Sequence, residues 1–271
     1  MTRLINHIKD WVPPVLLPVG RKLLGKEISF YGNYSTFEEA ASQSLGYDSS
    51  AILEKVLEAT LKVYRGEAAF ERDSVAFNEI DYNWPLTAGL MWAAARSGGR
   101  LGVVDFGGAL GSSYFQNRLF LSGLPEVCWS VVEQKNYVEA GRKYIKSDIL
   151  SFHETIESCL IDKSPNLFLL SSVLQYLPDP YNVIRLINKS NASFLIVDRT
   201  TLSPVSNDSI CIQKVPESIY KASYPAWIFS EERLLSSFDG WKIVATTKGP
   251  EPEYKTKAGL TISFSGFIME R

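Results

Sequence analysis

Residues Val103–Ser112, Val-Val-Asp-Phe-Gly-Gly-Ala-Leu-Gly-Ser, run from an apolar stretch through three glycines into a segment opened by two serines. Gly107, Gly108 and Gly111 let a ligand approach the main chain, and a helix starting at Ser112 leaves its first amides without intrahelical partners. Acids stand at the ends of this and the following apolar runs: Asp105, Glu133, Asp148 and Asp198. A carboxylate can accept from both hydroxyls of a vicinal diol, from an amino group, or from a hydroxyl whose proton it removes. Asp198 could serve as such a base or as the partner of Arg199. The two histidines, His7 and His153, and the three cysteines, Cys128, Cys159 and Cys211, never approach metal-ligand spacing, so no metal is expected. His153 is expected to face solvent or to cap a helix.

The elements that must hold these residues follow from periodicity. After Gly98-Gly99, short apolar runs alternate with helical stretches, the rhythm of parallel βαβ units. The expected strands are 101–106, 127–133, 144–147, 167–171, 194–197, 241–246 and 263–269, with crossover helices over 112–121, 136–141 and 180–189. A turn-rich link, 248–259, lets the last strand enter antiparallel. Residues 35–97 read as mostly helical, opened by Ser35-Thr36-Phe37-Glu38 at capping spacing. The reading divides the chain into an N-terminal extension or lid, 1–97, and an α/β domain, 98–271. Within the latter, 200–229 is longer than a usual connection and is a candidate substrate-side insertion. Tyr220, Tyr224 and Trp227 lie there. They could stack on a sugar ring or favour a cation, or pack the segment onto the sheet.

The 271 residues carry a net charge of −2, with 45% hydrophobic and 21% charged positions. That describes a folded globular chain with no basic field for nucleic acid. No stretch has the length of a membrane span, no signal core opens the chain, and a cytoplasmic setting is expected. Residues 1–26 hold Arg3, Lys9, Arg21, Lys22 and Lys26 against Asp10, interleaved with apolar side chains. This tip could touch an anionic membrane surface or pack on the main domain. Nothing in the sequence fixes the oligomeric state.

A dinucleotide-binding Gly-x-Gly-x-x-Gly fails in both registers: from Gly107 the second glycine is Ala109, and from Gly108 it is Leu110. The stretch resembles instead the first motif of class I S-adenosylmethionine-dependent methyltransferases, Asp/Glu-x-Gly-x-Gly-x-Gly, with Asp105, Gly107 and Gly111 in place and Ala109 where the middle glycine stands. That resemblance implies a Rossmann-like α/β fold with a seven-stranded, mostly parallel sheet in the order 3-2-1-4-5-7-6. It implies S-adenosylmethionine across Gly107, Gly108 and Gly111, with Glu133 on the ribose hydroxyls, Asp148 near the adenine and Ser171 beside the cofactor. The run Ser171-Ser172-Val173-Leu174-Gln175-Tyr176-Leu177-Pro178-Asp179-Pro180 is similar to that family's Asn-Val-Leu-His-His-Leu-x-Asp-Pro. Gln175 and Tyr176 replace the histidines, so a base must come from elsewhere.

The stretches Phe30–Tyr34, Asn83-Trp84-Pro85-Leu86, Leu174–Leu177, Val197-Asp198-Arg199 and Ser223–Ser230 resemble a narrower group of bacterial methyltransferases associated with surface-polysaccharide biosynthesis. The implied reaction is O-methylation of a sugar or a glycan precursor. Asp198, Tyr220 and Tyr224 are the catalytic candidates, and Trp84, Gln175, Tyr176, Arg199 and Trp227 the substrate-side ones. The competing readings are a nicotinamide-dependent sugar-modifying enzyme and a non-catalytic scaffold that keeps the fold.

Overall fold

A computed structural model describes residues 28–44, 49–72, 74–214, 222–256 and 259–271. The basic tip, 1–26, and Tyr220 lie outside the described residues.

Strand β1 (Ser29–Tyr34) leads into helices α1 (Phe37–Gln43) and α2 (Ser49–Tyr64). A hairpin of β2 (Phe70–Arg72) and β3 (Val75–Phe77) precedes α3 (Trp84–Arg96). This region was expected to be mostly helical; the hairpin and β1 are the departures. α3 begins where the sequence allows, because the Asn83 side chain accepts from the Leu86 amide and Pro85 sits in the first turn, where a missing N–H costs nothing.

The sheet starts with β4 (Arg100–Phe106), whose Leu101, Val103 and Val104 are all buried, as a strand covered on both faces requires. α4 (Ser112–Leu121), β5 (Glu126–Val132) and α5 (Lys135–Tyr144) follow. The third strand is β6 (Leu150–His153), not 144–147. Tyr144 closes α5, and the buried Ile145 is that helix's C-cap, so this apolar pair belongs to a helix end. α6 (Ile156–Asp162), unexpected from the sequence, opens on a Thr155–Ser158 capping box. β7 (Leu167–Ser171), a 3₁₀ turn over 174–176, α7 (Pro180–Lys189) and β8 (Phe194–Ser203) complete the first five strands.

Strands β9 (Ser209–Lys214) and β10 (Ser223–Ser230) occupy the segment expected to be a loop, before α8 (Glu231–Ser237), β11 (Lys242–Lys248), the short β12 (Tyr254–Lys255) and β13 (Thr261–Glu270). Seven strands pair as β6-β5-β4-β7-β8-β13-β11, the first five parallel and β13 antiparallel to both neighbours. The detail that differs is a branch. β8 runs past the end of β7, and its Leu202 and Ser203 pair with Phe229 and Ser230 of β10. β10 pairs antiparallel with β9, and β9 with β1. The N-terminal region is thereby sewn onto the sheet. Two apolar clusters form the main core, one holding Leu86, Leu90, Trp129 and Leu169, the other Phe168, Leu170, Phe229 and Phe267.

Candidate active site

A cavity of about 500 Å³ opens at the carboxyl ends of β4, β7 and β8. Ligands of open α/β sheets sit at this edge, where strand order reverses on either side of the first strand. Its floor is the turn after β4 together with Ser171, Ser172, Asp198 and Arg199; its roof is the β2–β3 hairpin and the start of α3; Lys248–Pro250 close one side.

The backbone around this cavity is held away from its ordinary conformations. Among the described residues, four that are not glycine have positive φ: Ser74 (66°), Ala109 (50°), Ser172 (53°) and Arg199 (48°). All four line the cavity. Each such residue costs about 1 kcal/mol or more and persists only where its surroundings fix it. Here the Ser172 amide donates to the Asp198 carbonyl at 2.9 Å, and the Gln175 amide nitrogen donates to the Arg199 carbonyl at 3.1 Å. The Arg199 guanidinium meets Glu251 at 2.8 Å. The turn itself has Gly107 at φ 74° and Gly111 at φ 93°, the latter the N-cap of α4. A Cβ at Gly107 would stand 2.4 Å from Val173 Cγ2, and one at Gly108 would stand 2.4 Å from the Asp105 carboxyl. The backbone therefore lies directly on what supports it.

Three carboxyls surround this turn with different electrostatics. Asp105, 1% exposed, accepts from the Trp129 indole N–H at 3.0 Å. Burial raises it to about 7, against that hydrogen bond and with a push from Glu133. Glu133 ends at the same turn, where its carboxylate takes the amides of Gln134 and Ala109; burial nevertheless raises it. Asp198 lies at the point where β7 stops and β8 runs on. Its Oδ2 accepts from Ser171 Oγ at 2.7 Å and from Asn83 Nδ2 at 2.9 Å. Burial raises Asp198 despite Ser171, Arg199 and Asn83, with Glu251 adding to the rise. Asn83 thus caps α3 with its oxygen and holds Asp198 with its nitrogen, joining the N-terminal region to the sheet at the cavity.

Of the residues expected at a site, Asp105, Gly107, Gly108, Ser171, Asp198, Arg199 and Trp84 line the cavity. Gly111 and Glu133 stand just behind its turn. The rest of those among the described residues do not line it. Asp148 is exposed and precedes β6, at the amino end of the strand and hence the opposite sheet edge from the turn; displacing the third strand by a few residues moved the acid to the wrong side. The residues at the carboxyl end are His153 and Glu154. His153 is buried, not solvent-facing, with Nε2 3.1 Å from Ser151 Oγ.

Gln175 is fully buried and props the strained Ser172 and Arg199 from beneath. Tyr176 donates to Gln213 Oε1 at 3.1 Å and meets the Tyr224 ring edge-on at 5.0 Å. Trp227 donates to the Leu177 carbonyl and stacks on Phe229. Because Ser209–Lys214 and Ser223–Ser230 form paired strands, Tyr224 and Trp227 on β10 pack against the 3₁₀ turn and do not line the cavity.

Sequence reasoning missed the roof. Glu71 is buried and accepts from Ser112 Oγ; Arg72 pairs with Asp81 at 3.1 Å; Trp84, 59% exposed, stands at the mouth with Tyr82 and Phe120. Of the roof, only Trp84, in the stretch Asn83-Trp84-Pro85-Leu86, was expected at the site. Among the described residues no cluster fits a metal ion, and no helix is long and apolar enough to cross a membrane.

No protein-family model matches the chain, and no curated protein is significantly similar to it. Solved structures that superpose include the N-terminal domain of EvdMO1 in the presence of SAH and D-fucose, 13% identical, TM-score 0.47, covering 83% of this chain and 97% of that one. Another is SAM-bound CalS10, an amino pentose methyltransferase from Micromonospora echinaspora, 10% identical, TM-score 0.45, covering 70% and 92%. A third is the mitomycin 7-O-methyltransferase MmcR, 15% identical, TM-score 0.40, covering 80% and 68%.

Proposed function

We propose that the chain is an S-adenosylmethionine-dependent O-methyltransferase acting on a hydroxyl of a sugar or glycan precursor. The observation that carries this reading is that the carboxylate of Asp198 and the glycine turn after β4 line one cavity. The cavity volume of about 500 Å³ suits a nucleoside-sized ligand and part of an acceptor. The residues present fit this cofactor: a Cβ at Gly107 or Gly108 would meet Val173 or the Asp105 carboxyl, so the turn brings bare backbone to the cavity, and α4 starts beside it. Gly107, Gly108 and Ser171 would hold the cofactor, with Glu133 turned from the Ala109 amide to the ribose hydroxyls. When bound, S-adenosylmethionine supplies an electrophilic methyl group on a sulfonium.

What the chain contributes is position and a proton acceptor. The side chains of Asn83 and Ser171 both donate to Oδ2 of Asp198, which leaves Oδ1 for the acceptor hydroxyl. With the cofactor bound, Oδ1 would take the proton of an acceptor hydroxyl as that oxygen is methylated, and would release it to solvent. A carboxylate raised by burial is a stronger base than an exposed one, which suits this task. Arg199 is occupied by Glu251 and fixes the Lys248–Pro250 wall. Trp84, Tyr82 and Phe120 offer flat apolar surface at the mouth, where a sugar ring can stack. The N-terminal residues 28–97 act as the cover of the cavity, and 98–271 as the catalytic unit.

Calorimetric titration with S-adenosylmethionine, S-adenosylhomocysteine and NADH tests the reading. Micromolar binding of the first two, weakened in Glu133→Ala and absent for NADH, supports it. Binding of NADH alone points to the nicotinamide enzyme, and binding of none to a scaffold.

A further inference from the structure

We infer that Lys248, at the end of β11, is a specificity residue for the acceptor: its ammonium receives the phosphate of a sugar whose hydroxyl meets Asp198. The inference rests on the adenosylmethionine reading of the cavity and narrows the acceptor class to sugar 1-phosphates and their diphosphate esters.

Three cations line the cavity: Arg72, Arg199 and Lys248. Arg72 pairs with Asp81 at 3.1 Å, and Arg199 with Glu251 at 2.8 Å. The other carboxylates of the lining are engaged too: Asp198 by Ser171 and Asn83, Asp105 by the Trp129 indole, and Glu71 by Ser112 and further neighbours. Lys248 is exposed, and among the described residues no carboxylate pairs with it. A cation so placed is open to an anionic group on a ligand, and a charge-assisted hydrogen bond is about twice as strong as a neutral one.

The backbone of Lys248 is fixed beside the proposed base. Lys248 stands opposite Ser265 of β13, which stands opposite Thr200 of β8, two residues beyond Asp198. A Cβ at Gly266 would meet Thr247 Oγ1 at 2.8 Å and Asp198 Cα at 3.0 Å, so bare backbone there lets the end of β11 close on Asp198. Past Lys248, the Gly249 amide donates to the Phe264 carbonyl at 2.7 Å, and the Arg199–Glu251 pair anchors the chain again. Lys248 is separated from β8 by two strand spacings of about 4.8 Å, a span that one sugar ring and a lysine stem bridge. Phosphate suits this residue better than a carboxylate does. A planar carboxylate is matched by a guanidinium fork, and both arginines of the lining are already paired. A lysine binds phosphate as a point charge, and at an exposed rim the remaining oxygens stay in water.

The test is calorimetric titration of the protein saturated with S-adenosylhomocysteine. The probes are the 1-phosphates, uridine diphosphate esters and polyprenyl diphosphate esters of glucose, galactose and mannose, their neutral methyl glycosides, and methyl glucuronide. A phosphorylated probe should bind at least about tenfold more tightly than the neutral glycoside of the same sugar. Tighter binding of the nucleotide or of the lipid ester supports the inference equally and identifies the carrier. Lys248→Gln should remove this preference and leave the S-adenosylhomocysteine Kd within about twofold of wild type, which also reports an intact fold. Equal affinity for phosphorylated and neutral probes, stronger binding of the glucuronide, a preference that survives in Lys248→Gln, or no binding of any phosphorylated probe overturns the inference. If the wild type does not bind S-adenosylhomocysteine, the adenosylmethionine reading itself falls, an outcome distinct from failure of Lys248.

Discussion

Replacing Asp198 by Asn should abolish methyl transfer while leaving the fold and the cofactor affinity in place. An asparagine can put its oxygen where Oδ2 now accepts from Ser171 at 2.7 Å and Asn83 at 2.9 Å, which leaves its NH₂ at the position of Oδ1. Both donors stay satisfied, and the only loss is the proton acceptor. General-base catalysis contributes about 10²–10⁴-fold, or about 3–5 kcal/mol of barrier, so kcat should fall by that factor. The pH dependence carries the sign. Burial raises Asp198, so activity in the wild type should climb with pH through a value above the ordinary carboxylate range and level off beyond it. Ser171→Ala removes a donor that favours the ionised form and should move this limb to higher pH; Asp198→Asn should erase it. The assay is transfer of labelled methyl from S-adenosylmethionine to a panel of nucleotide sugars, with the S-adenosylhomocysteine Kd measured beside it. An Asp198→Asn protein that keeps more than a tenth of the wild-type kcat, or whose Kd rises by the factor that kcat falls, refutes the assignment.

Gly107→Ala sets a Cβ 2.4 Å from Val173 Cγ2 at φ 74°. It should cost about 1–3 kcal/mol of stability by thermal melting and weaken S-adenosylhomocysteine at least tenfold, whereas Asp148→Ala should change its binding by less than twofold. Asp105 is raised from 3.8 to about 7, so the folded state holds a proton that the unfolded state has released. Stability should therefore fall as pH rises from about 4 to about 7, by up to about 4 kcal/mol from this group, and urea titrations of Asp105→Asn should show a flatter profile. Trp84→Ala should remove about 1 kcal/mol of stacking, raising KM for a sugar acceptor roughly fivefold with the S-adenosylhomocysteine Kd unchanged. A matching loss in both constants would place Trp84 with the cofactor instead.

The parallel half of the sheet was legible because its strands are buried on both faces. Val103-Val104, Val131-Val132 and Leu167–Leu170 are continuous apolar runs too short for a helix and bounded by polar or glycine residues, the pattern of a buried parallel strand. The third strand was not. Leu150-Ser151-Phe152-His153 alternates, with Ser151 engaged by its neighbours Ser130 and His153, while Tyr144-Ile145 mimics a strand although it closes α5. The error was local in sequence and large in consequence, because the two ends of a parallel strand lie at opposite edges of the sheet and only one edge faces the cavity.

The same physics decides which candidate residues survived. Positions near a strand end and its following turn, Asp105, Gly107, Ser171 and Asp198, line the cavity, because β4 and β7 match the expected strands and β8 begins where expected although it runs on to Ser203. Residues that depend on non-local pairing are not legible in this way. Tyr224 and Trp227 face the 3₁₀ turn because β9 pairs with β10 and with β1, which lies roughly 180 residues earlier in the chain. No local pattern announces such a partner. Glu71 is the clearest case: in the sequence it is one acid in Phe70-Glu71-Arg72, indistinguishable from a solvated surface residue. Its burial arises only when the hairpin folds over Ser112, a residue 41 positions on. The backbone strain at Ala109, Ser172 and Arg199 is equally silent in sequence, since none of the three is a residue type that demands positive φ. Ser172 and Arg199 are strained because the hydrogen bonds of Gln175 and Asp198 and the Glu251 ion pair hold them so, and the Ala109 amide is held by the Glu133 carboxylate. The acceptor side of the cavity is thus built from parts whose chemistry becomes visible only after the sheet, its branch and the N-terminal cover have come together.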